Sequence, residues 1–279
     1  MILAYNELIK IIISKGVLKL YTIHYKEFGS GKLIYFIHGN SLNLESMIEF
    51  YEPFFETNQS VRRIYLDIPG MGDSCLQPSI NNSDDILKEI YSFISNHSNN
   101  KNFSLCGHSY GGYLCLGLAA LFSNISNLFL TCPVVKAKHR ERILENHRVI
   151  VQEKVIPVDN KEYFEDYLDM NVQISNLSWS KYQHSILPGL KKGADSFWTK
   201  ISEEDYMLSF ENLLFDRIKD THCTVLLGRY DQIVGYKDQQ ELMNDRKNFE
   251  VKLLSNSGHN LPIDEPDSLF LFFKNFVES

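Results

Sequence analysis

Six short apolar runs, separated by helical patterns, are the feature that most limits how this chain can fold. The runs cover residues 32–38, 62–67, 102–106, 127–132, 221–227 and 250–254. Alternation of polar and apolar residues is weak in them, which is typical of strands that helices cover on both faces. Helical patterns occupy residues 83–95, 111–122, 237–244 and 266–277. This order predicts an α/β fold with a mostly parallel, doubly wound sheet.

Two segments depart from that alternation. Residues 20–28 alternate more clearly and are predicted to form an edge hairpin with the neighbouring strand. From Val134 to Tyr206 there are helical stretches without a convincing strand, which predicts a helical insertion between two strands. We therefore expect a core made of residues 1–133 and 207–279, with residues 134–206 forming an inserted helical cap.

Composition excludes several classes of function. The net charge of −7 argues against a nucleic-acid surface, which needs clustered Lys and Arg. The five cysteines are odd in number and contain no Cys-x-x-Cys pair, so free thiols are expected rather than disulfides or a zinc site. Neither a secretory signal nor an apolar window of about 18 residues occurs. We expect a cytoplasmic monomer or homodimer without a membrane partner.

The most informative motif follows the run at 102–106. It reads Gly107-His108-Ser109-Tyr110-Gly111, between an apolar strand and a helix. Gly-x-Ser-x-Gly in this context is typical of a nucleophile elbow, in which a strained turn lifts the serine hydroxyl clear of the sheet. Glycines on either side let strand and helix approach closely. Ser109 is therefore the candidate nucleophile.

A serine needs a base, and the base needs an orienting acid. Asp231 lies just past the strand at 221–227, and His259 lies in a polar loop after the strand at 250–254. Groups at the carboxyl ends of parallel strands meet at one edge of the sheet. The order Ser109, Asp231, His259 therefore predicts a catalytic triad at that edge. His108 is expected to point away from the cleft.

Attack on an acyl carbon also needs two N–H groups to stabilise the oxyanion. The backbone of Tyr110, at the start of the helix after Ser109, is one candidate donor. The second is expected from the loop after the strand at 32–38, where Asn40 is preferred and Ser41 is the alternative. His38, which precedes this turn, is expected to brace the loop.

Together these motifs resemble the α/β-hydrolase superfamily over about residues 18–279. The matching pieces are His38-Gly39-Asn40, Asp67-x-Pro-Gly-x-Gly-x-Ser74, Gly107-His-Ser-Tyr-Gly-Gly112, Gly228-Arg-Tyr-Asp231 and Ser257-Gly-His259. The resemblance implies an eight-stranded sheet with a helical cap after the sixth strand, a triad of Ser109, Asp231 and His259, and Asn40 and Tyr110 as oxyanion donors. The first 16 residues have no counterpart in this pattern and are expected to add a small helix.

The expected activity is hydrolysis of an ester or related acyl bond in a small molecule, with no cofactor and no metal. Three alternatives stay open: carbon–carbon bond hydrolysis, a ligand sensor with little turnover, and an aminopeptidase similar to prolyl iminopeptidases. The aminopeptidase would use cap carboxylates at helical spacing to hold an ammonium group. The candidates for that role are Glu162, Glu165, Asp166 and Asp169.

Aromatic and apolar residues of the cap are candidates for the substrate pocket, together with Ser41. Internal packing of the cap is an equally good explanation of the same residues. The candidates are Tyr163, Phe164, Tyr167, Met170, Trp179 and Trp198.

Overall fold

A computed structural model describes residues 10–14, 17–21, 23–56, 59–193 and 201–279. Its strands, in chain order, are β1 (Lys10–Ser14), β2 (Val17–Tyr21), β3 (Tyr25–Phe28), β4 (Lys32–Ile37), β5 (Val61–Leu66), β6 (Phe103–His108), β7 (Ile125–Thr131), β8 (Val151–Gln152), β9 (Gln173–Ile174), β10 (His222–Gly228) and β11 (Phe249–Leu254). Within these described ranges, seven strands form the main sheet in the order β11-β10-β7-β6-β4-β5-β3. All neighbours pair in parallel except β3 and β5, which are antiparallel. The predicted α/β fold with a mostly parallel sheet is confirmed, with one strand fewer in the described sheet than the expected eight.

The helices follow the strands as the sequence pattern indicates. They are α1 (Leu44–Tyr51), α2 (Ser83–Ser98), α3 (Tyr110–Ala119), α4 (Phe164–Met170), α5 (Asn176–Ser185), α6 (Leu187–Gly193), α7 (Glu203–Tyr206), α8 (Leu214–Arg217), α9 (Lys237–Met243), α10 (Leu261–Asp264) and α11 (Pro266–Glu278). In the described part of the chain, no helix combines the length and the apolar character that crossing a bilayer requires.

The amino-terminal elements differ from expectation. Residues 10–14 form β1, which pairs with β2 in an antiparallel hairpin, so the small helix predicted there is wrong; residues 1–9 lie outside the described residues. The run of three isoleucines at 11–13 favours a strand because β-branched residues suit extended backbone. The hairpin predicted for 20–28 divides into β2 and the edge strand β3, and β3 pairs with β5 instead of the adjacent β4.

The sheet core is aromatic and buried on both faces. Phe36 of β4 stacks on Tyr65 of β5, with their ring centroids 4.3 Å apart. Phe273 of α11 packs edge-on against Phe129 of β7. Rings of this size bury a large apolar area at modest entropic cost, so they fix α11 against the sheet. This packing holds the carboxyl ends of the strands, where the candidate site lies, in a rigid frame.

The described part of the segment between β7 and β10 contains five short helices, α4 to α8, joined by loops. It also contains a short strand pair that the sequence does not indicate, in which β8 and β9 run parallel over two residues each. A buried aromatic cluster fills the middle of the segment, where Tyr167 and Tyr182 pack against Trp179. Gly189 lies so close to the loop that precedes α1 that a Cβ there would stand 2.4 Å from the Cα of Leu42. The segment is therefore packed directly onto the core.

Candidate active site

Ser109 occupies a strained turn between β6 and α3. Its φ of 53° and ψ of −117° are uncommon for a residue with a side chain. The neighbouring glycines are required sterically, since a Cβ at Gly111 would stand 2.1 Å from the carbonyl oxygen of Ile37. A Cβ at Gly107 would stand 2.7 Å from the carbonyl oxygen of Gly111. The Gly-x-Ser-x-Gly motif thus forms the turn that the sequence predicts.

Hydrogen bonds join the three residues predicted as a triad. The Ser109 hydroxyl lies 3.0 Å from Nε2 of His259, and Nδ1 of His259 lies 2.8 Å from Oδ2 of Asp231. The other carboxylate oxygen of Asp231 accepts hydrogen bonds of 2.9 Å from the backbone N–H groups of Ile233 and Val234. Because Nδ1–H donates to the carboxylate, Nε2 is left to accept the serine proton.

Asp231 and His108 set the electrostatics around His259. Burial would raise the pKa of Asp231, but the attraction of His259 and the two N–H groups outweigh burial and lower it, so the carboxylate stays ionised. Burial, followed by repulsion from His259, lowers the pKa of His108 to about 3. His108 is therefore neutral and does not compete with His259 for a proton.

The expected orientation of His108 is wrong. Its ring lies 5.2 Å from that of His259 and forms part of the wall of a cavity beside Ser109. Its Nδ1 lies 3.0 Å from the hydroxyl of Thr131, which holds the ring under the site. The turn at Ser109 redirects the chain immediately after β6, so the alternation of side chains along the strand does not predict the direction of the His108 side chain.

The loop after β4 lies against Ser109. A Cβ at Gly39 would stand 3.2 Å from the Cβ of Ser109, and Asn40 lines the space next to the serine. His38 braces the loop as predicted: its Nδ1–H donates to the carbonyl of Gly39 at 2.8 Å, and its Nε2 accepts from the N–H of Ile68 at 3.0 Å. Tyr110 begins α3, so its N–H belongs to the first turn of that helix. Both predicted oxyanion donors therefore lie beside Ser109.

Two cavities meet at Ser109. The larger has a volume of about 370 Å³ and the smaller about 180 Å³. Both are lined by Asn40, Ser109, Met170 and His259. Polar side chains reach the larger cavity, among them His139, Arg142, Ser202 and Glu203. Leu42, Ile186 and Leu190 give the smaller cavity an apolar part, beside the polar side chains of Asp166 and Asn260. An elongated molecule centred on Ser109 would therefore place one end in each cavity.

Of the predicted pocket residues that the structure describes, only Met170 lines these cavities. Tyr167 is fully buried and donates its hydroxyl to the carbonyl of Ser175, and Trp179 packs on it. Tyr163 lies under the ammonium of Lys191, and Trp198 is outside the described residues. Ser41 faces α6 near Gly193. Helical spacing does not reveal which side of a small helical segment faces the core, and the polar residues of the larger cavity carry no sequence signal.

Among the described residues, two groups of side chains have the spacing of metal ligands, but their donor atoms already make hydrogen bonds. The first contains Cys132, Asp231 and His259, and both ring nitrogens of His259 are used within the site. In the second, His24 Nδ1 donates to Asp67 at 2.7 Å. The geometry around Ser109 therefore suits proton transfer between side chains.

Comparison with known proteins points to one family. The sequence profile of the family described as alpha/beta hydrolase fold matches residues 32–266. A crystal structure of an alpha/beta superfamily hydrolase from Oenococcus oeni PSU-1 is 39% identical in sequence, with a TM-score of 0.86. The match covers 92% of this chain and 95% of that chain.

More distant relatives carry names of ester hydrolases. Monoacylglycerol lipase ABHD6 of Bos taurus is 25% identical over 268 residues, which cover 88% of this chain and 75% of the bovine protein. A thermophilic esterase from Thermogutta terrifontis has a TM-score of 0.68 at 16% identity, covering 92% of this chain and 93% of that one. At that identity the esterase shows a shared fold alone.

Proposed function

Because the chain belongs to the α/β-hydrolase fold family, we propose that it is a serine hydrolase that cleaves an ester or related acyl bond of a small molecule. The proposal rests on one observation: the Ser109 hydroxyl, His259 and Asp231 are linked by hydrogen bonds at the point where two cavities meet. A nucleophile, a base and an orienting acid are the parts that acyl transfer requires.

In the proposed reaction, the Ser109 oxygen attacks the acyl carbon while Nε2 of His259 takes the hydroxyl proton. Asp231 holds the ring and stabilises the imidazolium that forms. The N–H groups of Asn40 and Tyr110 would donate to the oxyanion, whose charge develops only during the reaction. His259 then gives its proton to the leaving alcohol, and water hydrolyses the acyl-enzyme by the same steps in reverse.

The chemistry of the two cavities supports an ester of an apolar acyl chain with a polar alcohol. The apolar side chains of the smaller cavity suit the acyl chain, and Ser202 and Glu203 of the larger cavity offer hydrogen bonds to hydroxyl groups. The bovine relative's name, monoacylglycerol lipase, is consistent with such a substrate. We therefore propose monoacylglycerols with short acyl chains as the first compounds to test.

The segment 134–206 is proposed to act as the cap of this site. It supplies Met170, which borders both cavities, and Tyr206, which lines the larger one. Substitutions in the segment should therefore change substrate preference more than they change the reactivity of Ser109.

One observation supports a second candidate, the aminopeptidase. Of the four carboxylates considered for binding an ammonium group, Asp166 lines the smaller cavity, and it accepts a hydrogen bond from the hydroxyl of Tyr182. Glu162, Glu165 and Asp169 are exposed and do not line either cavity described here. Hydrolysis of a proline arylamide that is lost in Asp166→Asn, with ester hydrolysis retained, would favour this alternative.

Labelling with a fluorophosphonate, which reacts with activated serines, tests the main proposal. We expect the wild type to be labelled and Ser109→Ala and His259→Ala not to be. Matched controls are Ser92→Ala on α2 and His184→Ala on α5, where the side chains bond to their own helices and should not affect labelling. Folded wild type that resists the probe would contradict the proposal and favour a ligand sensor.

A further inference from the structure

The loop that carries His259 is tied to a short piece of the proposed cap. Asn260 donates its side-chain N–H to the side-chain oxygen of Asn171 at 2.8 Å. The side-chain N–H₂ of Gln173 donates to the carbonyls of Asn256 at 3.0 Å and Asp264 at 2.7 Å. Residues 171–173 therefore contact the chain on both sides of His259. They directly follow Met170, which borders both cavities.

A buried carboxylate lies at the centre of this junction. Asp264, the last residue of α10, is only 5% exposed. One of its oxygens accepts the N–H of Gly258 at 2.9 Å, and the other accepts the N–H of Gln173 at 3.3 Å. Gly258 immediately precedes His259, and no role in the proposed reaction uses Asp264. Burying a carboxylate is costly unless hydrogen bonds compensate for the water that it loses. The two bonds from backbone N–H groups are therefore what allows Asp264 to lie at this position.

We propose that Asp264 is a positioning residue, which holds the backbone at Gly258 against residues 172–173 and so fixes His259 relative to both Ser109 and the cap. The inference rests on the proposed function, since it assigns His259 the role of base. One side chain then fixes the positions of both the proposed cap and the proposed base. A displacement of the cap would therefore also displace His259.

The role requires a carboxylate that is ionised. Both oxygens face backbone N–H groups, so a proton on either oxygen, or the N–H₂ of an asparagine, would set a donor against a donor. Burial, the largest cause, raises the pKa of Asp264 to about 7, with the charge of Glu265 adding to it. The other titratable groups that face it are Tyr167 of the cap and the thiol of Cys132 after β7. The clamp should therefore weaken as pH falls below neutrality.

The test compares Asp264→Asn with the wild type in ester hydrolysis between about pH 5 and pH 9. We expect kcat to fall by about tenfold to a hundredfold in the variant, which is more than the change in KM. Titration of Asp264 should contribute one proton to the acid side of the wild-type profile, so kcat/KM should fall more steeply there in the wild type than in Asp264→Asn. Asp267→Asn, the same change at an exposed carboxylate of α11, is the matched control and should behave like the wild type.

An Asp264→Asn variant with unchanged kcat and an unchanged acid limb would overturn the proposal. A second measurement needs no activity: near neutral pH the amide resonance of Gly258 should shift more in the nitrogen-15-labelled wild type than in Asp264→Asn. A Gly258 amide that does not move between about pH 5 and pH 9 would also overturn the proposal. If the wild type neither labels with fluorophosphonate nor hydrolyses esters, the proposed function fails, and the amide titration still decides whether the clamp exists.

Discussion

At the scale of single residues, the site depends on how Asp231 divides its two oxygens. One oxygen accepts from His259, and the other accepts from the N–H groups of Ile233 and Val234. The backbone bonds fix the carboxylate, so the remaining oxygen can orient the imidazole. A change that removes the charge beside His259 can therefore leave the two backbone bonds that fix the side chain in place.

The substitution Asp231→Asn tests that separation. The asparagine oxygen can keep the two backbone bonds, so its N–H₂ group would face Nδ1 of His259 and favour the wrong tautomer. We expect kcat for an activated ester to fall by about 10⁴-fold, with the fold retained. Asp216→Asn, which removes an exposed partner of Arg246, should leave kcat unchanged. A kcat for Asp231→Asn within about tenfold of the wild type would show that the imidazole does not depend on this carboxylate.

The sequence identifies residues whose roles depend on their place in the chain, and it fails where a role depends on side-chain direction. Ser109, Asp231 and His259 each follow a strand, so sheet geometry alone brings them to one edge. Trp179 and Tyr167 lie on helices whose packing face is decided by tertiary contacts, and they pack inside the proposed cap. Asp264 looks like an ordinary polar residue before Pro266 until its two N–H partners are known.

At the scale of elements, the predicted strands of the main sheet agree with the structure within a few residues, because buried parallel strands are marked by continuous apolar runs. The short pair β8 and β9 carries no such mark, since two residues are too few to show a period. The edge strand β3 pairs with β5 through contacts distant in sequence, which local patterns do not encode.

The close approach of α3 to β4 is the element contact on which the turn at Ser109 depends. In Gly111→Ala the new methyl group would meet the backbone oxygen of Ile37 at 2.1 Å, and backbone atoms cannot move aside cheaply. In Gly117→Ala of the same helix it would meet only leucine side chains at 3.0–3.1 Å. We expect Gly111→Ala to lower the free energy of unfolding by about 3 kcal/mol and Gly117→Ala to change it by less than about 1 kcal/mol.

Urea unfolding at neutral pH measures both values. The comparison holds the helix and the chemical change constant, so a difference reports the contact of Gly111 with the end of β4 and with His38, which follows it. Equal effects of the two substitutions would mean that α3 can move away from β4. Labelling of Gly111→Ala with fluorophosphonate should fall together with stability, because the same contact fixes the turn at Ser109.

At the scale of the whole molecule, two buried groups give opposite dependence of stability on pH. The pKa of His108 is about 3, below its ordinary value of 6.5. As pH falls below 6.5, the imidazole is therefore protonated in the unfolded chain before it is protonated in the folded chain, and the free energy of unfolding decreases. The pKa of Asp264 is about 7, above its ordinary value of 3.8, because the cost of burying the charge exceeds the gain from the hydrogen bonds of the ionised form. Its contribution to stability is therefore greatest below pH 3.8 and is lost as pH rises through 7, although the hydrogen bonds to Gly258 and Gln173 are strongest when the carboxylate is ionised. Between about pH 4 and pH 6.5 the two contributions offset each other.

Single substitutions should expose each contribution. Relative to the wild type, His108→Gln should make the free energy of unfolding fall more steeply as pH rises from about 4 to 6.5, by up to about 1.4 kcal/mol per pH unit. Relative to the wild type, Asp264→Asn should make the free energy of unfolding rise with pH over the same interval, by a similar amount per pH unit. Urea unfolding at several pH values measures both slopes, and His184→Gln, at an exposed position on α5, should keep the slope of the wild type. Slopes of the same sign for His108→Gln and Asp264→Asn would contradict this assignment, because the two groups lose stability in opposite directions of pH.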